Sequence, residues 1–422
     1  MTVHDRRWLM PFARGDVWMR SVLLRFQEAL RERGWDGAVI ASPESLSSTN
    51  LRYLSGFTGS SAYLVVSTEN AWLLTDSRYL QQASVEAGDC EVLEQGVHVA
   101  ASIARICREH GIFTLGWEDD KVPVRLFKEW LDTIPVVWRP LDHLIEELRL
   151  IKTSEEIDAI RRAAQIAGAA LMEVLGNLVG RREIDVALDL EVAMRRLGAE
   201  SLAFPTIVAS GERGALPHAH PTDRVIRSGE LATIDYGAQV EGYKSDETVT
   251  VATGPIPADL RRVWMVVKQA QTQAIATIRP GMSSRDVDEA ARNVIRRAGY
   301  GDAFGHGTGH GVGLDIHEAP FASPNSSYER PLEAGMTITV EPGVYLAKIG
   351  GVRLEDTFVV TPTGFERLTI VRKSLSFLIR RTVVRRNFCA AICRGIRGQH
   401  YPNDVAAGSG CAGTATTHQL VD

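Results

Sequence analysis

The chain has 422 residues, 45% hydrophobic and 23% charged, which excludes a largely disordered protein and leaves material for about two to three domains. Its 47 basic and 52 acidic residues give a net charge of −5, which argues against a nucleic-acid binder. No run approaches the roughly 18 apolar residues of a membrane span, and the start MTVHDRRWLMPFARGD lacks an apolar signal core, so a cytoplasmic protein without a membrane partner is expected. Residues 1–20 are polar and lack a period, which reads as a loosely ordered leader. The apolar spacing of Leu23, Leu24, Phe26 and Leu30 predicts a helix over Val22–Trp35. Strands are expected at Gly37–Ser42, Ala62–Ser67 and Ala71–Thr75. Asp76 suits the N-cap of a helix running to Ala87. Further alternating segments at Val99–His110, Phe113–Trp117 and Val124–Leu131 complete an α/β domain over 21–150. Thr153 and Glu156 have the spacing of a capping box, which opens a long helix to about Leu178 and marks a second domain.

That second domain, expected over 151–378, carries a weak repeat at an offset of 101 residues. Gly180, Asp185, Val186, Arg195, Arg196 and Gly198 match Gly281, Asp286, Val287, Arg296, Arg297 and Gly299. In each copy they frame an amphipathic helix that ends at a glycine. Duplication predicts a pseudo-twofold domain with a site at its seam. From 379 to 422 the pattern lapses into an Arg-rich, then Gly/Ala/Thr-rich tail. The tail has six Arg, no Lys and two Asp, so its +4 leaves −9 on the rest of the chain. Three of the five cysteines, Cys389, Cys393 and Cys411, fall in the tail; with Cys90 and Cys107 they form neither a disulfide framework nor a zinc pattern.

Four carboxylates sit in β-like, apolar surroundings: Asp235 in ATIDYG, Asp246 in YKSDET, Glu341 in ITVEPG and Glu355 in GVRLED. A carboxylate there is costly to bury unless it is paired or binds metal. Each one alone has a turn or cap reading. The histidines change the balance. His306 and His310 lie four residues apart in the glycine-rich run HGTGHGVG, and His317 follows seven residues later. The run lacks the Lys-Ser/Thr of a phosphate loop and does not fit the dinucleotide fingerprint. Four carboxylates with one imidazole suit Mn²⁺ or Co²⁺ better than a thiolate-selected metal. Four negative charges also match two divalent ions, the arrangement of a hydrolase that activates water.

Asp235, Asp246, His310, Glu341 and Glu355, in these contexts and this order, resemble the ligand set of the pita-bread metallopeptidases. That group includes methionine aminopeptidase, aminopeptidase P and prolidase. The resemblance covers about residues 21–378. Compact methionine aminopeptidases generally lack the first domain, and Tyr53-Leu-Ser-Gly-Phe-Thr-Gly-Ser60 is similar to the proline-specific branch. The His317-Glu-Ala-Pro320 wording is closest to prolidases and small bacterial Xaa-Pro peptidases.

The resemblance implies an α/β N-terminal domain of creatinase/prolidase type followed by an α+β pita-bread domain. It also implies two divalent ions, Mn first, with Co, Zn or Fe as alternatives, and a homodimer. The substrates would be peptides with proline second. A dipeptidase is favoured over an aminopeptidase P acting on longer peptides. A non-catalytic binding protein, or a different chemistry on the same fold, is the remaining reading. Asp235 would chelate one ion, Asp246 and Glu355 would bridge both, and His310 would bind the second. Glu341 would be a ligand and also carry a proton. His218 would face substrate and His317 would stabilise the intermediate. His306, Tyr345 and Arg353 would line the pocket, whereas His220 is expected at the surface. Val249 departs from the family, where many relatives carry Arg.

Overall fold

Strand Gly37–Ser42 shows how the first domain is built, because its alternate residues serve two cores. Ala38 and Ile40 pack on one face with Phe26, Leu30 and Leu64, while Val39 and Ala41 pack on the other with Val65, Ile103 and Trp130. It sits centrally in a six-stranded mixed sheet with neighbours Ala62–Ser67 and Thr114–Trp117. The order runs from edge strand Glu91–Glu94 through Ala71–Thr75 to the far edge, Val137–Pro140. This computed structural model describes residues 15–375, apart from 45, 47, 326 and 328, and the side chains of 15–21. The expected tail therefore lies outside the described residues, as does most of the expected leader.

Several elements differ from the periodicity reading. The first helix spans Gly15–Glu32 and so begins within the expected leader. Asp76 does not cap the next helix. Its Oδ1 accepts from Arg78 N at 3.0 Å and its carboxylate is held by the Arg78 guanidinium, so a turn intervenes and the helix runs Leu80–Glu86. Three short elements, Thr49–Ser55, Glu91–Glu94 and Leu144–Leu150, carry too few residues to display a period.

The capping box forms as the spacing requires. Thr153 accepts from Glu156 N, and Glu156 accepts from Thr153 N at 2.7 Å, at the start of helix Ser154–Val174. Such a cap contributes about 1 kcal/mol. Beyond it the second domain has two halves that match in detail. Helix Glu183–Arg196 corresponds to helix Ser284–Arg297. Gly180 and Gly281 both have positive φ, 85° and 84°, as do Gly198 and Gly299 after the helices. Strands Leu231–Tyr236 and Glu247–Ala252 pair antiparallel in one half, and Thr337–Val340 and Asp356–Thr361 in the other.

This correspondence places the carboxylates. Asp235 lies in the first strand of its pair and Glu341 directly follows the equivalent strand. Asp246 and Glu355 each directly precede the second strand of their pairs. The halves are stitched where these meet: Glu355 N donates to Thr248 O at 3.0 Å and Thr357 Oγ1 to Asp246 O at 2.7 Å. The two domains share a core in which Phe26, Leu51 and Leu64 join Ile160, Tyr243, Leu314 and Val359. Among the described residues no helix is long and apolar enough to cross a membrane.

Candidate metal centre

The five expected ligands line one cavity of about 470 Å³, together with His218, His306, His317, Arg353 and His220. Ligand atoms of Asp246, His310 and Glu355 all lie within 4.8 Å of one another. His310 Nε2 is 3.3 Å from Glu341 Oε1 and 3.6 Å from Asp246 Oδ2. Arg353 Nη2 donates to Asp235 Oδ2 at 2.7 Å, so Arg353 touches a candidate ligand as well as the cavity.

Local structure explains the convergence. His310 lies in strand Gly309–Gly311, a short piece of sheet within the glycine-rich run. A Cβ at Gly309 would sit 1.9 Å from Thr339 O, so only glycine lets this strand approach Thr337–Val340 closely enough. Helix Ser284–Arg297 secures the preceding turn: the buried Asp288 Oδ1 accepts from Thr308 N at 3.0 Å and from Thr308 Oγ1 at 2.9 Å. On the opposite side, Lys373 Nζ contacts Glu247 Oε1 and lies 3.3 Å from Asp356 Oδ1. Glu247 and Asp356 each follow a candidate ligand, so one buried ammonium holds both strand starts.

The electrostatics suit cations. Burial and neighbouring carboxylates push Asp246 and Glu355 well above the usual carboxylate range. Burial raises Asp235 as well, with Arg353 opposing it. Burial would also raise Glu341, but the hydrogen bond and charge of His310 outweigh it and hold this carboxyl below its ordinary value. Asp235 Oδ1 and Glu355 Oε1 are buried without a hydrogen-bond partner. A buried, unpaired carboxylate oxygen is costly unless a cation meets it. The donor set therefore fits divalent ions bound by oxygen and one imidazole.

The remaining residues take distinct places. His317 is exposed in the cavity, with its ring edge-on to His310 at 4.3 Å between centroids. Burial of part of the ring lowers its pKa. His218 is exposed at the wall, and His220, expected at the surface, is exposed and lines the same cavity. Tyr345 stands behind the wall: its hydroxyl is 2.9 Å from His306 Nε2 and accepts from Arg353 Nη1 at 3.0 Å. Val249 is buried in the core of the first half.

Sequence reasoning missed Thr248 and Asp288. Thr248 Oγ1 donates to Glu355 Oε2 at 2.8 Å and accepts from Arg353 Nε at 3.3 Å. Asp288 had one signal, an acid among the apolar positions Val287, Ala291 and Ile295. The apolar wall of Phe204, Pro205, Ile207, Ile316 and Phe321 had none.

Paired halves around a carboxylate-rich centre define a metallopeptidase of the pita-bread class. Residues 158–362 match Metallopeptidase family M24, and residues 23–151 match the Creatinase/Prolidase N-terminal domain. The chain belongs to family M24. It is 41% identical to the uncharacterized peptidase YqhT of Bacillus subtilis, over 84% of this chain and 99% of that one. Its structure is similar to a Xaa-Pro dipeptidase from Bacillus anthracis, with a TM-score of 0.80 and 39% identity over 85% of this chain and 99% of the other. An X-Pro aminopeptidase from Thermotoga maritima matches with a TM-score of 0.78 and 35% identity, over 84% and 99%.

Proposed function

We propose that this protein hydrolyses the bond between an N-terminal residue and a following proline, and that free dipeptides are its preferred substrates. The carrying observation is one cavity that joins the five-residue donor set, with its unpaired buried oxygens, to His218, His317 and an apolar wall. Asp235, Asp246, His310, Glu341 and Glu355 would hold two divalent ions, Mn²⁺ first. When bound, the ions supply an activated water and polarise the scissile carbonyl.

The chain's own groups do the rest. Arg353 fixes the Asp235 carboxylate through its 2.7 Å hydrogen bond. Glu341 takes a proton from water and delivers it to the proline nitrogen. That nitrogen belongs to a tertiary amide with no N–H, which a site relying on an amide donor would reject. His317 donates to the carbonyl oxygen as charge develops there. His218, exposed at the wall, contacts the substrate near the cavity mouth. The side chains of Phe204, Ile207 and Phe321 offer a dry wall to the pyrrolidine ring.

The likeness to the Thermotoga enzyme supports a second reading, an aminopeptidase that accepts longer Xaa-Pro peptides. Both readings share a homodimer expectation that light scattering checks. The deciding experiment strips the protein with chelator, restores Mn²⁺ or Co²⁺, and compares Ala-Pro with a tripeptide beginning Ala-Pro. Faster turnover of the dipeptide is expected. Faster turnover of the tripeptide establishes the second reading, and no metal-dependent cleavage of either removes both.

A further inference from the structure

Two buried cations at the junction of the two domains grip the loop that carries His317, and the chemistry above leaves them unused. Arg149 lies in helix Leu144–Leu150, the last of the first domain, with only 4% of its side chain exposed. Its Nη2 donates to Asp315 Oδ2 at 2.8 Å and to Glu318 Oε2 at 2.7 Å. Lys152 Nζ, 1% exposed, lies 2.6 Å from Glu318 Oε1. Asp315 and Glu318 stand on either side of Ile316-His317, so the two cations close a clamp around the histidine.

The clamp is fixed at both ends. Arg149 Nη1 donates to Asn50 Oδ1 at 2.7 Å and to Thr49 Oγ1 at 3.1 Å. Asn50 in turn donates to Glu118 and Glu146, both at 2.7 Å, so the guanidinium is held from behind by the first domain. At the other end, Glu318 opens strand Glu318–Ala322 and pairs with Gly311, one residue from His310. A Cβ at Gly313 would meet Glu318 Oε1 at 2.4 Å, so the glycine-rich run leaves room for the gripped carboxylate. Two cations face two carboxylates, and the cluster is balanced in charge. A group buried this deeply tolerates few alternative placements.

We propose that Arg149, assisted by Lys152, is a positioning residue: it sets the place of the His317 imidazole through Asp315 and Glu318. The N-terminal domain thereby takes part in turnover without touching substrate. This rests on the Xaa-Pro reading, in which His317 acts on the scissile carbonyl. A shift of about 1 Å at such a group costs on the order of 100-fold in rate.

The test uses the full-length, metal-restored protein and four variants: Arg149→Met, Arg149→Lys, His317→Ala and the Arg149→Met/His317→Ala pair. Metal content and thermal melting are measured beside kcat and KM on Ala-Pro. Arg149→Met is expected to lower kcat roughly 10- to 100-fold with KM and metal content nearly unchanged, and Arg149→Lys to recover part of the loss. With His317 already alanine, the Arg149→Met effect should shrink to about twofold or less, because coupled residues are not additive. An equal loss in both backgrounds, or no loss of kcat, overturns the proposal. Should Arg149→Met fail to fold, Lys152→Met takes its place in the same cycle. If the parent protein cleaves no Xaa-Pro peptide, the functional reading fails by itself. The coupling is then read from the His317 ring resonances, which must move in Arg149→Met and stay put in an Arg78→Met control; unmoved resonances overturn it.

Discussion

Glu355 and Thr248 show how much of a candidate metal ligand's setting lies outside the residue itself. The Glu355 carboxylate has one oxygen held by Thr248 Oγ1 and the other buried without a partner. Glu355→Ala should therefore lose bound metal by elemental analysis together with turnover. Thr248→Val keeps the ligand and the volume but removes its orienting bond. It is expected to weaken metal affinity roughly 10-fold, measured by titration with a competing chelator. The two differ in legibility. Glu355 stands out in the sequence as a carboxylate in an apolar run, whereas Thr248 is an ordinary strand residue until the strands pair. His220 is a similar case: nothing in its neighbours distinguishes a surface imidazole from one at a cavity wall.

At the scale of elements, close backbone approach and capping dominate. Gly309→Ala would drive a Cβ into Thr339 O, at 1.9 Å, so the strand carrying His310 must move. The expected result is lower metal occupancy and a lower melting temperature. Thr153→Ala removes half of the capping box, whose partners Thr153 and Glu156 do not line the cavity. It should cost about 1 kcal/mol in denaturant unfolding while leaving kcat unchanged. The capping box was readable because its partners are three residues apart. The repeat was readable because its glycines and arginines recur at a fixed offset, and the matching positive φ of Gly180 and Gly281 shows why glycine recurs. Asp76 misled because a short acidic side chain serves a turn as well as a helix start, and the choice fell to Arg78. Helix Leu144–Leu150 has too few turns to reveal a period, although it carries Arg149.

The whole molecule is held together across its domains by charge as well as by the shared core. Burial would raise the Asp315 carboxyl, but the charge and hydrogen bond of Arg149 outweigh it and hold it below the ordinary carboxylate range. A carboxyl with a depressed native pKa contributes stability that is present above its unfolded pKa of about 3.9 and is lost as pH falls through its native value. Asp315→Asn should therefore melt lower than the parent at pH 7, and the gap should close as pH falls through the depressed native value of Asp315, followed by thermal denaturation across pH. The tail from 379 is expected to be dispensable: a protein ending near residue 380 should keep both metal content and turnover on Ala-Pro.

Sequence alone determined the features whose partners are close in the chain or whose chemistry is unusual for its surroundings. These are the α/β alternation of the first domain, the capping box, the duplicated halves and the carboxylates and histidines in apolar or glycine-rich contexts. Local backbone preference and the cost of burying charge act on a few residues at a time, and they leave marks in short windows. Tertiary structure decided the rest. It joined Asp246 and His310 across 64 residues of chain, and it placed Arg149 against Asp315 across 166. Such contacts depend on which strands pair and which faces pack, quantities set by the whole core and written in no single stretch of the chain.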